Sequence, residues 1–159
     1  MREQTAQLLS FSPVPTRTFG AQLAFNILAG GSTADRQTGV RVAGHVGRLL
    51  GWDAPRLAVA LVTAPVFHGH GVMLRFRLAS HAEAEDVRQV LGGAAGCESP
   101  AEPGRVGHTP VDVASENTVR LGLPTADGLG GFWLWAVAGD SGALAADRAV
   151  RLADRLAGL

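Results

Sequence analysis

The segment Pro65-Val66-Phe67-His68-Gly69-His70-Gly71 sets two histidines either side of a glycine, directly after an apolar run. On an extended chain, residues two apart share a face. Two imidazoles so placed suit a metal clamp, a general acid–base, or a pair of polar groups satisfying a strand end. A metal needs a third or fourth ligand, and no spacing ties His45, His108 or Glu98 to the pair. Acid–base work needs a reacting group held against the ring. The structural reading asks least: the rings find backbone or loop partners, as buried polar groups must. Cys97 is the single cysteine, in the loop-like stretch GGAAGCESP. Thiol chemistry needs a group that stabilises the thiolate and a base nearby. The sequence displays neither, so packing is the expected role of Cys97. Arg75 and Arg77 form a short cationic row that suits an anion, or more ordinarily a solvated or interface face. Phe132, Trp133 and Trp135 suit a core or a dimer interface. A ligand-stacking platform is the sharper alternative.

The elements that must position these residues follow from periodicity. A short helix is expected over Glu3–Leu9, ended by Pro13 and Pro15. A second is expected from Thr33, capped by Ser32 or Thr33, with Val42, Val46, Leu49 and Leu50 on one face and Gly51 as its stop. Leu57–Thr63 reads as a buried strand, and PVFHGHG as its end and a turn. In GVMLRFRLA, Val72, Leu74, Phe76 and Leu78 alternate with Met73, Arg75 and Arg77, the pattern of a strand with one face on a core. His81–Leu91 reads as a helix with Val87, Val90 and Leu91 inward. Residues 92–116 form a long Gly/Pro/Ala-rich loop that holds at most a short strand. Thr118–Leu123 and Phe132–Val137 are strands joined by a turn at Asp127–Gly131, the second apolar on both faces. Ser141–Leu156 closes the chain as an amphipathic helix, with Ala145, Ala149, Leu152 and Leu156 along one side. Besides the short first helix, about three helices and four or five strands with hairpin-length links indicate an α+β fold. The expected sheet is mixed, mostly antiparallel, with helices on one face.

Bulk properties bound the function. The 159 residues suit one domain over 1–159, and the 47% hydrophobic content is that of an ordinary globular chain. Lys+Arg and Asp+Glu number 14 each, so the basic excess of a nucleic-acid binder is missing. The opening MREQTAQLLSFSPVP lacks the apolar core of a signal peptide. No apolar run reaches the roughly 18 residues of a spanning helix. The expectation is a cytoplasmic protein with no membrane and no nucleic-acid partner.

Several segments, in order, resemble the C-terminal domain of aspartate-semialdehyde dehydrogenase, and more closely its degenerate homologues of the Usg type. They are QTAQLL, FGAQLAFNILAG, RLLG, PVFHGHG, HTPVDVA, and LWAVAGD followed by the AVRLADRL helix. The resemblance runs from about residue 4 to the end. It implies a glyceraldehyde-3-phosphate dehydrogenase-like C-terminal domain whose sheet pairs with a copy of itself. It also implies a preceding nucleotide-binding domain that carries the nucleophilic cysteine. No GxGxxG follows a strand here, so that domain is not expected in this chain.

Residue by residue, the resemblance puts the family's acid–base histidine at His70 and its substrate-carboxylate arginine at Thr63. A threonine cannot offer the charged fork of a guanidinium. The substrate-binding glutamate falls on His45, which removes the negative charge that would hold an ammonium group. His68 is the remaining member of this cleft remnant. The late R-K-G falls on Gly142-Ala143-Leu144, and its asparagine on Arg148. The resulting expectation is a non-catalytic relative of the dimerisation domain that acts through protein association. No bound cofactor or metal is expected. The expected partner is a second copy, or a full-length dehydrogenase relative. One alternative is a subunit or fragment of an NADP-dependent semialdehyde dehydrogenase of amino-acid biosynthesis, with the nucleotide-binding part and its NADP on a partner chain. Another is a small-molecule binding module built on the old cleft.

Overall fold

The structure, a computed structural model, describes residues 1–30, 33–53, 56–94, 97–98, 107–140 and 142–157. They fall into two compact units, Met1–Phe67 and His68–Leu159.

The first unit opens with helix α1 (Arg2–Leu9). Gln4, on α1, is 3% exposed and organises the irregular segment after it. Its Nε2 donates to the carbonyls of Pro15 (2.6 Å) and Ala21 (3.1 Å). Its Oε1 accepts from the N–H groups of Leu23 (2.8 Å) and Ala24 (3.1 Å). A stretch without regular structure must find partners for its backbone somewhere, and one amide side chain supplies four.

Strand β1 (Leu28–Ala29) leads to helix α2 (Thr33–Leu49) and then strand β2 (Val62–Thr63), which pairs antiparallel with β1. Ser32, an expected cap of α2, lies outside the described residues. The helix ends as its glycine predicts. Gly51 adopts φ +65°, its N–H reaches the Arg48 carbonyl, and the Trp52 N–H reaches that of Gly47. The buried face is not the expected one. Gly39, Ala43 and Gly47 are buried, Val46 is half-buried, and Val42, Leu49 and Leu50 are exposed. Small residues let the helix backbone approach the chain at Val59, whose carbonyl oxygen lies 2.5 Å from where a Cβ on Gly39 would sit. The expected strand over Leu57–Thr63 is also corrected. Only Val62–Thr63 is paired, and half-buried Leu57, Val59 and Leu61 alternate with exposed Ala58, Ala60 and Val62. The segment is covered on one side, so its apolar run does not mark a fully buried strand.

The second unit is built on β3 (His70–Phe76), helix α3 (Ala84–Gly92), and the short strands β4 (Cys97–Glu98), β5 (Val119–Leu121) and β6 (Thr125–Ala126). Strand β7 (Phe132–Ala138) and helix α4 (Gly142–Ala157) complete it. Strand order is β3-β7-β5-β4, antiparallel except for β4 with β5. This is the expected α+β fold with a mixed sheet. β5 and β6 run along the same side of β7. β5 is the expected Thr118–Leu123 strand, shortened, and β6 is an additional short strand beyond buried Pro124, which has no N–H to give the ladder.

Leu121, Leu134 and Ala136 form the core cluster, with Phe76, Leu91, Cys97 and Val119 against it. Val87 of α3 is buried, but Val90 is 76% exposed. Val87 and Leu91, four apart, take the inward stripe, and Val90 falls to its side. Val72 and Leu74 also differ from expectation. They share the core face, yet β3 is the sheet's edge strand and both remain exposed. The side chains of Ala143, Leu144, Arg148, Leu152 and Leu156 lie outside the described set, while Ala145 and Ala149 of α4 are exposed.

Candidate functional site

His68 and His70 are brought together, though not as expected. His70 begins β3, and His68 precedes the strand. They converge because Gly69 turns the chain between them at φ +82°. Both rings face one carboxylate at the far end of the paired strand β7. His70 Nε2 lies 3.1 Å from Asp140 Oδ1, and His68 Nδ1 lies 3.6 Å from Asp140 Oδ2. His70 registers with Ala138, two residues before Asp140, so sheet pairing itself aligns imidazole and carboxylate. The cluster is open to solvent, with the His70 side chain 75% exposed. Among the described residues, no group of three or more His, Cys, Asp or Glu is arranged to hold a metal ion. The arrangement can orient an imidazole through a hydrogen bond from its ring nitrogen to the carboxylate. Asp140 was missed in the sequence as a partner, although it ends the quoted segment LWAVAGD.

Gly69 is packed as well as turned. A Cβ there would sit 3.0 Å from the Pro110 carbonyl oxygen and 3.1 Å from that of Ala138. Gly69→Ala is therefore expected to cost about 1–2 kcal/mol from left-handed backbone strain alone. A denaturation midpoint measures that loss. NMR of the imidazoles is expected to show His68 leaving Asp140 while His70 stays.

Of the other expected site residues, Thr63 and His45 lie in the first unit. Thr63 is in β2, opposite Leu28, and His45 is exposed on α2. Cys97 is half-buried against the core cluster. Arg75 and Arg77 are spent on the turn before β7. Arg75 pairs with the Asp127 carboxylate, and Arg77 Nη2 donates to the Leu129 carbonyl at 3.2 Å. Trp135 lies over Gly71 and donates Nε1–H to the His108 carbonyl at 2.8 Å. Phe132 is core, and its ring centroid is 5.8 Å from that of Phe76. Trp133 remains 43% exposed.

Two turn carboxylates are held below their ordinary range. Asp127 Oδ1 accepts from the N–H groups of Gly131 (2.8 Å) and Leu129 (2.7 Å), and the Arg75 guanidinium adds to that effect. Asp112 accepts from the Thr109 N–H (2.6 Å) and then its hydroxyl (2.9 Å). A depressed carboxylate contributes stability that is complete above its unfolded value of about 3.9. That contribution is lost as the pH falls through the lower folded value. Urea midpoints are expected to fall more steeply below that pH in the native chain than in a variant carrying Asp112→Asn and Asp127→Asn.

No protein-family model matches the chain. Among solved structures, it superposes on aspartate semialdehyde dehydrogenase II from Vibrio cholerae with a TM-score of 0.78 at 23% identity, covering 87% of this chain and 43% of that one. A probable aspartate-semialdehyde dehydrogenase from Pseudomonas aeruginosa gives a TM-score of 0.76 at 28% identity, with the same 87% and 43% coverage. The fold is thus that of the C-terminal, dimerisation portion of aspartate-semialdehyde dehydrogenase. By sequence it is 33% identical to the USG-1 protein homolog of Azotobacter vinelandii over 170 aligned positions, covering 98% of this chain and 48% of that protein. It is 33% identical over 102 residues to the USG-1 protein homolog of Pseudomonas aeruginosa, covering 62% of this chain and 30% of that protein. By sequence the chain is similar to part of these USG-1 protein homologs, and it spans less than half the length of these curated relatives. Among the described residues, no helix is long and apolar enough to cross a membrane.

Proposed function

We propose that this chain acts through protein association in the cytoplasm, as a homodimer, and not as a catalyst of semialdehyde chemistry. The carrying observation is the sheet of the second unit. One face holds the core cluster, while Met73 and Trp133 lie open on the other at 58% and 43% exposure. Val72 and Leu74 of the same strand are exposed as well. Val72 and Leu74 lie on the core side of the strand and Met73 and Trp133 on the other, so apolar side chains are open on both faces of this end of the sheet, which suits an interaction surface. The carried-over positions support the same reading. Thr63 stands where the resemblance expects a carboxylate-binding arginine, and His45 where it expects a glutamate. Sedimentation equilibrium over a concentration series tests the proposal. A dimer is expected, weakened by Trp133→Glu with the fold retained. A monomer at every concentration refutes it. A full-length dehydrogenase relative is the other partner this surface would take.

The His70–Asp140 pair favours a second reading. A carboxylate 3.1 Å from an imidazole is the way an acid–base histidine is held. On this reading the chain is part of an NADP-dependent semialdehyde dehydrogenase whose nucleotide-binding part lies on another chain. Reduction of NADP by aspartate semialdehyde and phosphate in the reconstituted complex, lost in His70→Ala, would establish it.

A further inference from the structure

Helix α2 has two unlike faces. Gly39, Ala43 and Gly47 form its buried stripe. Val42 and Leu49 stand seven residues apart, so they fall on one line of the helix, and they are left open at 39% and 67% exposure. Counted in heptads with Val42 and Leu49 at a, Thr38 and His45 fall at d, and Arg41 and Arg48 at g. Arg41, His45 and Arg48 are exposed, and Thr38 is half-buried. The helix offers the two arginines no carboxylate. Its positions three and four residues from either of them hold Gln37, Thr38, Gly44 and His45. Its one acid, Asp35, is in the first turn. Among the described residues neither Arg41 nor Arg48 makes an ion pair. In the second unit Arg75, Arg88, Arg120 and Arg151 each hold a carboxylate. The first unit is cationic as a whole, because residues 1–67 hold six arginines and three acids.

We propose that this face of α2 docks an amphipathic helix of a partner protein whose apolar seam is flanked by carboxylates. Val42 and Leu49 enter that seam. Arg41 and Arg48 meet the acidic side chains beside it, as charges at g do across paired helices. The apolar line is one residue wide. That width suits a second helix, whereas a helix lying on a bilayer buries a broad apolar face. The site is on the first unit, apart from the sheet face that carries the association reading, and it needs no dimer.

The probe is a fluorescently labelled synthetic peptide of three heptads, with leucine at a and d and glutamate at e and g, titrated with the full chain. A second peptide carries lysine at e and g on the same leucine seam. Like charges keep either peptide from pairing with itself. The glutamate peptide is expected to bind at least about tenfold more tightly than the lysine peptide. Arg41→Glu with Arg48→Glu is expected to reverse that preference. Val42→Ala with Leu49→Ala is expected to weaken the glutamate peptide by about tenfold. Both variants alter exposed side chains only, and circular dichroism checks that the fold is kept. No binding, equal binding of the two peptides, or binding that survives both variants overturns the proposal. Binding to phosphatidylglycerol vesicles without binding to the glutamate peptide overturns it in favour of an anionic membrane surface. A dimer mass that is lost in the Arg41→Glu, Arg48→Glu variant also overturns it, because a second copy then covers the face. An unchanged mass with a reversed peptide preference supports it.

Discussion

Leu134→Ala is expected to remove about 3 kcal/mol from the stability of the second unit, within the range for leucines deleted from packed cores. Leu134 is 4% exposed and belongs to the cluster with Leu121 and Ala136. Little of that cost is expected to be recovered by relaxation, because β7 is held on both sides. β3 pairs along its whole length, and β5 and β6 pair along the other edge. A strand fixed by two ladders cannot move to fill a cavity, so the lost methyl groups leave a void. Val90→Ala is the control. Val90 is 76% exposed, and its truncation is expected to stay within about 0.5 kcal/mol. Urea unfolding of both variants decides the matter. A similar loss at both positions would show that the cluster is not the core.

Gln4→Ala is expected to cost about 3 kcal/mol in the first unit, because it leaves buried backbone groups without partners. The Leu23 and Ala24 N–H groups and the Pro15 and Ala21 carbonyls all depend on this one side chain. Gln4→Met keeps the volume and restores none of the hydrogen bonds, so it is expected to be nearly as damaging. That separates polar satisfaction from packing. Limited proteolysis between Ser10 and Ala24 provides a second readout, with faster cleavage expected in both variants. Full stability in Gln4→Met would mean that filling space is the residue's whole contribution.

Gln4 also shows what a sequence leaves unsaid. A glutamine near the start of a short helix carries no periodic signal, and its role depends on four groups that fall within reach only after the chain folds back. The alternation in GVMLRFRLA and the all-apolar FWLWAV gave β3 and β7 correctly, because pleat and burial write themselves into every second residue. Helix α2 went the other way. Its large residues pointed to Val42, Leu49 and Leu50, while glycine and alanine define the buried stripe. Hydrophobicity registers bulk and does not register close approach. The histidine pair was legible as a pair. Asp140 was not, since the register that delivers it belongs to a strand more than sixty residues away in the chain. The fate of Arg75 and Arg77 was hidden in the same way, because their partners are in the Asp127–Gly131 turn.

The small-residue stripe of α2 inverts the usual map of what this helix tolerates. A lysine at Val40 or Leu49, exposed at 74% and 67%, should pass almost unnoticed by the unit's own folding, whereas one added methyl group at Gly39 should not. A saturation library scored only for folding would therefore report the oily side of this helix as neutral. Any constraint a library does find at Val40, Val42 or Leu49 must come from a demand other than keeping this unit folded.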